Sequence, residues 1–322
     1  MKKLLLCFVV LLVGCQGQPT ETKKPLRLGL VTWIGYGPFY VAQEKGFFKN
    51  HGIDVVLMRI EGDAERRAAI VSGDLNGSAL TLDVVIVLRS QGVPVKAVMA
   101  IDASLGGDGI VAVEDVKSVK DLKGRQVAYP SGQPSHFFLY SVLSDSGMTM
   151  ADVRPIIMDA DKAGAAFAAG QVDVAVTWEP WLTKARETAK GHVLIDSKQK
   201  PGEIEDVLYM REDAILQRKD DIIALIKAWY DAVEFTKTNP DEAQAIMAKA
   251  FGLTGEEVAA LVPKVRYEGR EQNQLAFGTP ENPGFLFSLY DRISVAWLTE
   301  GVIPKRDTPE EGLYPDFVRA VQ

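Results

Sequence analysis

The stretch LRLGLVTWIGYGPFYVAQEKGFFKNHGIDVVLMRI, from Leu26 to Ile60, decides the fold. Leu26–Thr32 and Ile53–Ile60 are apolar runs of strand length, and Pro38–Lys45 between them reads as a helix. Pro38 suits a first helical position, while Gly35 and Gly37 let the backbone ahead of it turn. Strand, helix and strand in this order make a βαβ unit. Outward from it, Ser78–Leu80 and Val95–Ile101 read as further strands, and Ala64–Ser72 and Asp83–Ser90 as helices. Strands apolar on both faces belong to a parallel sheet buried under helices. A second series follows in Gln126–Tyr129, Pro134–Ser146, Val153–Met158, Ala160–Ala169 and Val172–Thr177, so the chain is predicted to be α/β with two lobes. From about Leu216 it turns helical. Ile222, Ile226, Trp229 and Val233 form one apolar stripe, and Leu286, Tyr290, Ile293 and Trp297 another.

Length and composition agree with two lobes. The chain has 322 residues, more than one small core usually fills, and 47% of them are hydrophobic. With 36 Lys plus Arg against 43 Asp plus Glu, the formal charge is −7, which excludes nucleic acid as the main partner. Two cysteines exclude a disulfide framework or a cysteine-rich metal site, and His51, His136 and His192 have no metal-ligand spacing. Neither a metal nor a cofactor is called for.

The chain opens MKK and runs through ten apolar residues, Leu4 to Val13, before Gly14 and Cys15. That is a signal peptide over 1–14 and too short to span a bilayer. Leu12-Val13-Gly14-Cys15 resembles the lipobox of bacterial lipoproteins, which implies cleavage before Cys15 and a lipid on its sulfur. The alternative is a plain signal cut near Gly17. The polar residues 15–25 read as a lipid-anchored tether.

Pro38, Val41, Ala42, Gly46, Phe47, Phe48 and Gly52 in the opening stretch resemble the start of one group of solute-binding proteins. These serve bacterial ABC importers of nitrate, taurine, aliphatic sulfonates and thiamine-related pyrimidines. SGDLNGSALTLDVVI, GGDGIVAV, SVKDLKGRQVAYPSG, AFAAGQVDVAVTWEPW and PGEIEDVLYMRED continue the resemblance in order through the chain. It implies the type II periplasmic-binding-protein fold, two α/β lobes joined by two crossovers with a helical C-terminal part. The crossovers are expected near Val113–Glu114 and Asp206–Leu208, giving lobe I as 26–114 plus 208–322 and lobe II as 115–207. The implied function is an extracytoplasmic receptor, monomeric and membrane-held through lipid on Cys15, that closes around a small molecule and hands it to an ABC permease.

Ligands in such sheets bind beyond the carboxyl ends of strands, where loops enter helices. Trp33 and Tyr36 in the first loop are expected to face the cleft. Thr81 or Asp83 caps the next helix or meets the ligand. Asp102, Ser104 and Asp108 surround Gly106-Gly107 before a strand at Gly109–Val113. Ser131, Gln133, Ser135 and His136 precede an apolar helix whose start suits an oxyanion, although a lone histidine there is more often structural. Trp178 and Glu179 stand at the end of a strand. Relatives with a tryptophan and an acid here use them near the ligand, so Glu179 is the leading candidate, with Asp206 at the return crossover a lesser one. These candidates include acids and aromatics but neither Lys nor Arg, which suits an ammonium beside ring faces. A taurine-like zwitterion is the first expectation, a cationic amine or aminopyrimidine the second and a simple sulfonate or nitrate the third.

An enzyme is the remote alternative. There is no GxSxG, GxxxxGK[ST] or HExxH. A eukaryotic branch of the fold makes a pyrimidine from its own histidine and pyridoxal phosphate, but its cysteine-rich motif is absent here. A soluble sensory subunit is a further possibility.

Overall fold

A computed structural model describes residues 23–188 and 191–321. The expected signal peptide, Cys15 and all but the last three residues of the tether lie outside them.

The described chain begins β1 (Leu26–Leu30), α1 (Gly37–Glu44), α2 (Phe47–Asn50), β2 (Val55–Arg59), α3 (Asp63–Ser72), β3 (Gly77–Thr81), α4 (Leu82–Ser90) and β4 (Val95–Ser104). It crosses to a second lobe made of β5 (Asp108–Val113), β6 (Gln126–Tyr129), α5 (Pro134–Asp145), β7 (Arg154–Ile157), α6 (Ala160–Ala168), β8 (Val174–Trp178), α7 (Trp181–Thr188) and β9 (Gly191–Asp196). It returns through β10 (Glu205–Arg211), α8 (Glu212–Gln217), α9 (Lys219–Thr238), α10 (Pro240–Phe251), α11 (Gly255–Leu261) and β11 (Val265–Tyr267). It ends with α12 (Arg270–Phe277), α13 (Phe285–Thr299), α14 (Pro309–Gly312) and α15 (Asp316–Ala320). The first sheet runs β11-β4-β10-β3-β1-β2 and the second β7-β6-β8-β5-β9.

Both crossovers come earlier than expected. The apolar run Gly109–Val113 does not by itself say which sheet it joins, and antiparallel pairing with β8 and β9 puts β5 in the second. The first passage is therefore residues 105–107 rather than Val113–Glu114. The return runs over 197–204 rather than Asp206–Leu208, since Asp206 already pairs within the first sheet. Strands β9, β10 and β11 escaped the sequence reading. β9 is half-buried throughout and β11 has three residues, so neither shows a strong apolar pattern, and β10 occupies the stretch expected to be the return crossover.

Both helical stripes, on α9 and α13, are wholly buried in the core of the first lobe. The second lobe has an apolar cluster on each face of its sheet, as a strand layer covered on both sides requires.

One buried side chain completes the edge of the first sheet. β11 pairs with β4 only over Asp102–Ser104, and beyond it Asn273 on α12 takes over. Its Oδ1 accepts from the Ala100 N–H at 2.8 Å, and its Nδ2 lies 2.9 Å from the Ala100 carbonyl, 3.1 Å from that of Glu268 and 3.0 Å from that of Gly269. Removing it strands two buried backbone groups of β4, each worth about 1–3 kcal/mol when unsatisfied. We predict that Asn273→Ala lowers the unfolding free energy by about 2–6 kcal/mol in a urea titration. A loss below that range would mean that water replaces the amide.

Candidate ligand cleft

β1, β2 and β3 in one lobe and β6, β7 and β8 in the other are parallel strands, each leading into a helix. Their carboxyl ends meet between the lobes. There Val31, Trp33, Tyr36, Leu80, Thr81 and Asp206 of the first lobe face Asp108, Pro134 and Trp178 of the second. The space they enclose is about 10 Å³, room for about one water. The lobes are closed.

Register explains how acids reach this place. Asp206 on β10 stands opposite Thr81 on β3 and opposite Asp102 on β4, and Tyr267 on β11 follows beyond Asp102. Residues directly opposite share a face, so two carboxyls lie side by side. The first loop folds over them. The Trp33 Nε1–H donates to both Asp102 carboxyl oxygens at 3.1 Å, and the Tyr36 hydroxyl donates to Asp206. Gly35 is there for lack of space: a Cβ would sit 2.0 Å from Asp102 Oδ2. Gly107, on the first crossover, would likewise place a Cβ 2.3 Å from the Trp33 ring.

Asp83, Asp102, Asp108 and Asp206 are all buried, at 3% exposure or less, and no Lys or Arg lines the cavity. Burial pushes the Asp83 and Asp108 carboxyls up to about 7. Burial also holds Asp102 and Asp206 well above the ordinary carboxylate range, Asp102 further through the neighbouring Asp206 charge. Thr81 Oγ1, Asp83 Oδ2 and Ser135 Oγ are buried without a hydrogen-bond partner. Such atoms are costly unless something else satisfies them.

The remaining sequence candidates take other positions. Ser131 is exposed. Gln133 reaches across the lobes to Asp63, Nε2 to Oδ1 2.7 Å. His136 is enclosed between the rings of Tyr129 and Trp297, its Nδ1 accepting from the Gly132 N–H at 3.1 Å, and burial pushes its pKa down to about 4. It is neutral packing at neutral pH. Glu179 is fully buried but bound up: its carboxylate pairs with Lys264 of the first lobe and accepts from Thr183 N–H at 3.0 Å and Thr183 Oγ1 at 2.8 Å. It stands behind the cleft wall rather than in it. Trp178 does form the wall, with its Nε1 donating to the Thr32 carbonyl of the other lobe at 3.3 Å.

Three charged residues around the cleft were missed, two of which join the lobes. Asp63 and Lys264 act through partners 70 and 85 positions away, beyond any local motif. Arg66 is 3% exposed and held by the Ile60 and Glu61 carbonyls and by Asp63, although its sequence setting is an ordinary helix. The Lys264–Glu179 pair crosses between lobes, so opening exposes a carboxylate that closure buries. Breaking a buried pair costs about 3–5 kcal/mol. Lys264 is 30% exposed, which reduces this to about 1–3 kcal/mol. Lys264→Ala should therefore enlarge the radius of gyration in small-angle scattering, and Lys264→Arg should restore it. An unchanged radius for Lys264→Ala would show that the pair does not favour closure.

Comparison with known proteins places this geometry. The taurine-binding periplasmic protein of Escherichia coli (strain K12) is 25% identical over 259 residues, 77% of this chain and 80% of that one. The crystal structure of the periplasmic aliphatic sulphonate binding protein from Escherichia coli superposes with a TM-score of 0.74 at 18% identity, covering 92% of this chain and all of the other. The periplasmic nitrate-binding protein of Synechocystis PCC 6803 gives 0.74 at 16% identity, over 92% and 88%. Those two likenesses establish the periplasmic-binding-protein fold. The model of the family described as NMT1/THI5 like matches residues 33–243, and the chain belongs to that family.

Proposed function

We propose that this protein is the extracytoplasmic solute receptor of an ABC importer and that it captures a small amine-bearing solute between its lobes. The observation that carries this is the cleft: each lobe brings a buried acid, Asp206 from one and Asp108 from the other, to one closed space that also holds the unpartnered Thr81 hydroxyl and is flanked by indole rings. Relatives named for binding taurine and sulfonates support a receptor rather than an enzyme. The amine meets Asp108 and Asp206, with the faces of Trp33 and Trp178 beside it. Glu179 supports Trp178 from behind and makes no contact with the solute. The closed form docks on the permease. Lipid on Cys15 tethers a monomer outside the cytoplasm, and no described helix is long and apolar enough to cross a membrane.

The test is thermal unfolding of the chain from Gln16 onward with paired solutes: taurine against ethanesulfonate, an aminopyrimidine against pyrimidine, then agmatine, choline and nitrate. A solute at a hundred times its Kd adds about 2.7 kcal/mol of stability. Only amine-bearing members should stabilise, and Asp108→Asn should weaken them by about 1.5–3 kcal/mol. Stabilisation by nitrate or ethanesulfonate would leave the receptor and remove the amine.

The acids also set how the free protein responds to pH. A carboxyl with a folded pKa near 7 keeps a proton that the unfolded chain has already lost, so stability falls as pH rises towards and through 7. Between pH 6.5 and 8 Asp83 and Asp108 complete their ionisation, whereas His136, neutral in the folded state, is about half charged in the unfolded chain at pH 6.5 and offsets the loss by only about 0.4 kcal/mol. The unfolding midpoint of the free protein should drop over that interval by circular dichroism, and Asp108→Asn should flatten the drop. An equal drop in the variant would remove Asp108 as a source.

A further inference from the structure

We infer that the solute is an organic cation with no anionic group, so that this cleft selects against zwitterions and anions. The inference rests on the receptor reading above and narrows its solute.

Six helices, α1 and α3 to α7, follow parallel strands and begin at the cleft, and a sulfonate or carboxylate is bound at such starts by free N–H groups. Here four of the six carry the chain's own carboxylates at or near their starts. Asp63 and Glu65 stand in the first turn of α3, Asp83 in that of α4, and Asp159 and Asp161 at the start of α6. Glu179 accepts the Thr183 N–H in the first turn of α7. The other two are restricted. The start of α1 packs against Met247, where a Cβ on Gly37 would lie 2.6 Å from the sulfur. At α5, Pro134 has no N–H, and the His136 and Phe137 N–H groups turn back to the Gln133 carbonyl at 2.9 and 3.2 Å. An anion would meet several negative neighbours.

A cation finds the opposite. Asp102 and Asp206 face one another across adjacent strands with only neutral donors between them and the cavity, and Asp108 enters from the second lobe. Thr81 Oγ1 lines the same cavity, buried and unpartnered, and its hydroxyl can accept from an N–H donor. Arg66, the nearby buried cation, is turned to the Ile60 and Glu61 carbonyls and to Asp63 instead of neutralising the cluster. Among the described residues no group of three or more His, Cys, Asp or Glu is arranged for a metal ion. Trp33 and Trp178 supply the ring faces that a protonated amine or amidine uses.

The test uses pairs that differ at the anionic end: agmatine and arginine, choline and glycine betaine, ethanolamine and taurine. Calorimetric titration of the full-length protein in detergent should show at least one cation binding tenfold or more tightly than its zwitterionic counterpart. Asp206→Asn and Asp83→Asn, tested separately so that one misfolded variant does not remove the readout, should each bring the two affinities closer together. A zwitterion bound as tightly as its cation, or no binding by any of the three cations, overturns the inference. The same titrations separate this from failure of the receptor reading: binding of taurine, arginine or glycine betaine without its cationic counterpart keeps a receptor and rejects the cation.

Discussion

Two aspartates set directly opposite one another in a buried sheet, Asp102 on β4 and Asp206 on β10, are the constraint around which the cleft is arranged. Like charges at opposed positions repel, and burial makes each charge costlier. The chain answers with neutral donors. Trp33 reaches one carboxyl and Tyr36 the other, which obliges the loop between β1 and α1 to lie against the sheet and leaves no room for a side chain at Gly35. These bonds satisfy some lone pairs and neutralise no charge. The remaining cost is borne by a first-lobe core that runs from Leu26 to Val321. A site held in this way is destabilising when free and stabilising when a cation occupies it, so folding stability and solute affinity depend on the same four carboxyls.

The fold was largely legible because its signals are local. Apolar runs of five to ten residues, Pro38 at a helix start and the stripes on α9 and α13 each say where an element lies without knowledge of its neighbours. Sheet membership is not local, which is why the crossovers were displaced and why β5 had to be assigned by its pairing. The site divides in the same way. Trp33, Tyr36, Thr81, Asp108, Trp178 and Asp206 stand at strand ends or in loops leading to helices, and they line the cavity. Glu179 stands at such an end too, but a lysine 85 residues later turns its carboxylate away. The absence of cations among the candidate residues survives at the cavity wall itself, where register rather than sequence proximity brings the acids together.

Closure has its own contacts, and they spread outward from the crossovers. Ser197 joins the two passages, its Oγ 2.7 Å from Ser104 Oγ and accepting from the Gly106 N–H at 2.7 Å, so the passages are tied to each other. Further out Trp178 bonds Thr32, and at the outer strands Gln133 bonds Asp63. The phenyl ring of Phe137 enters the core of the first lobe beside Trp297, 5.7 Å between centroids. None of these bonds involves a solute, so the lobes have a favourable closed arrangement of their own. A solute shifts the balance only by what it gains in the closed form over the open one. About 10 Å³ between closed walls admits no amine of useful size, so Trp33 and Trp178 must stand further apart around a solute than they do here. The solute therefore strains the lobe–lobe bonds while it relieves the acids. Affinity is the difference between the two, so the closed walls favour a compact solute over a longer one.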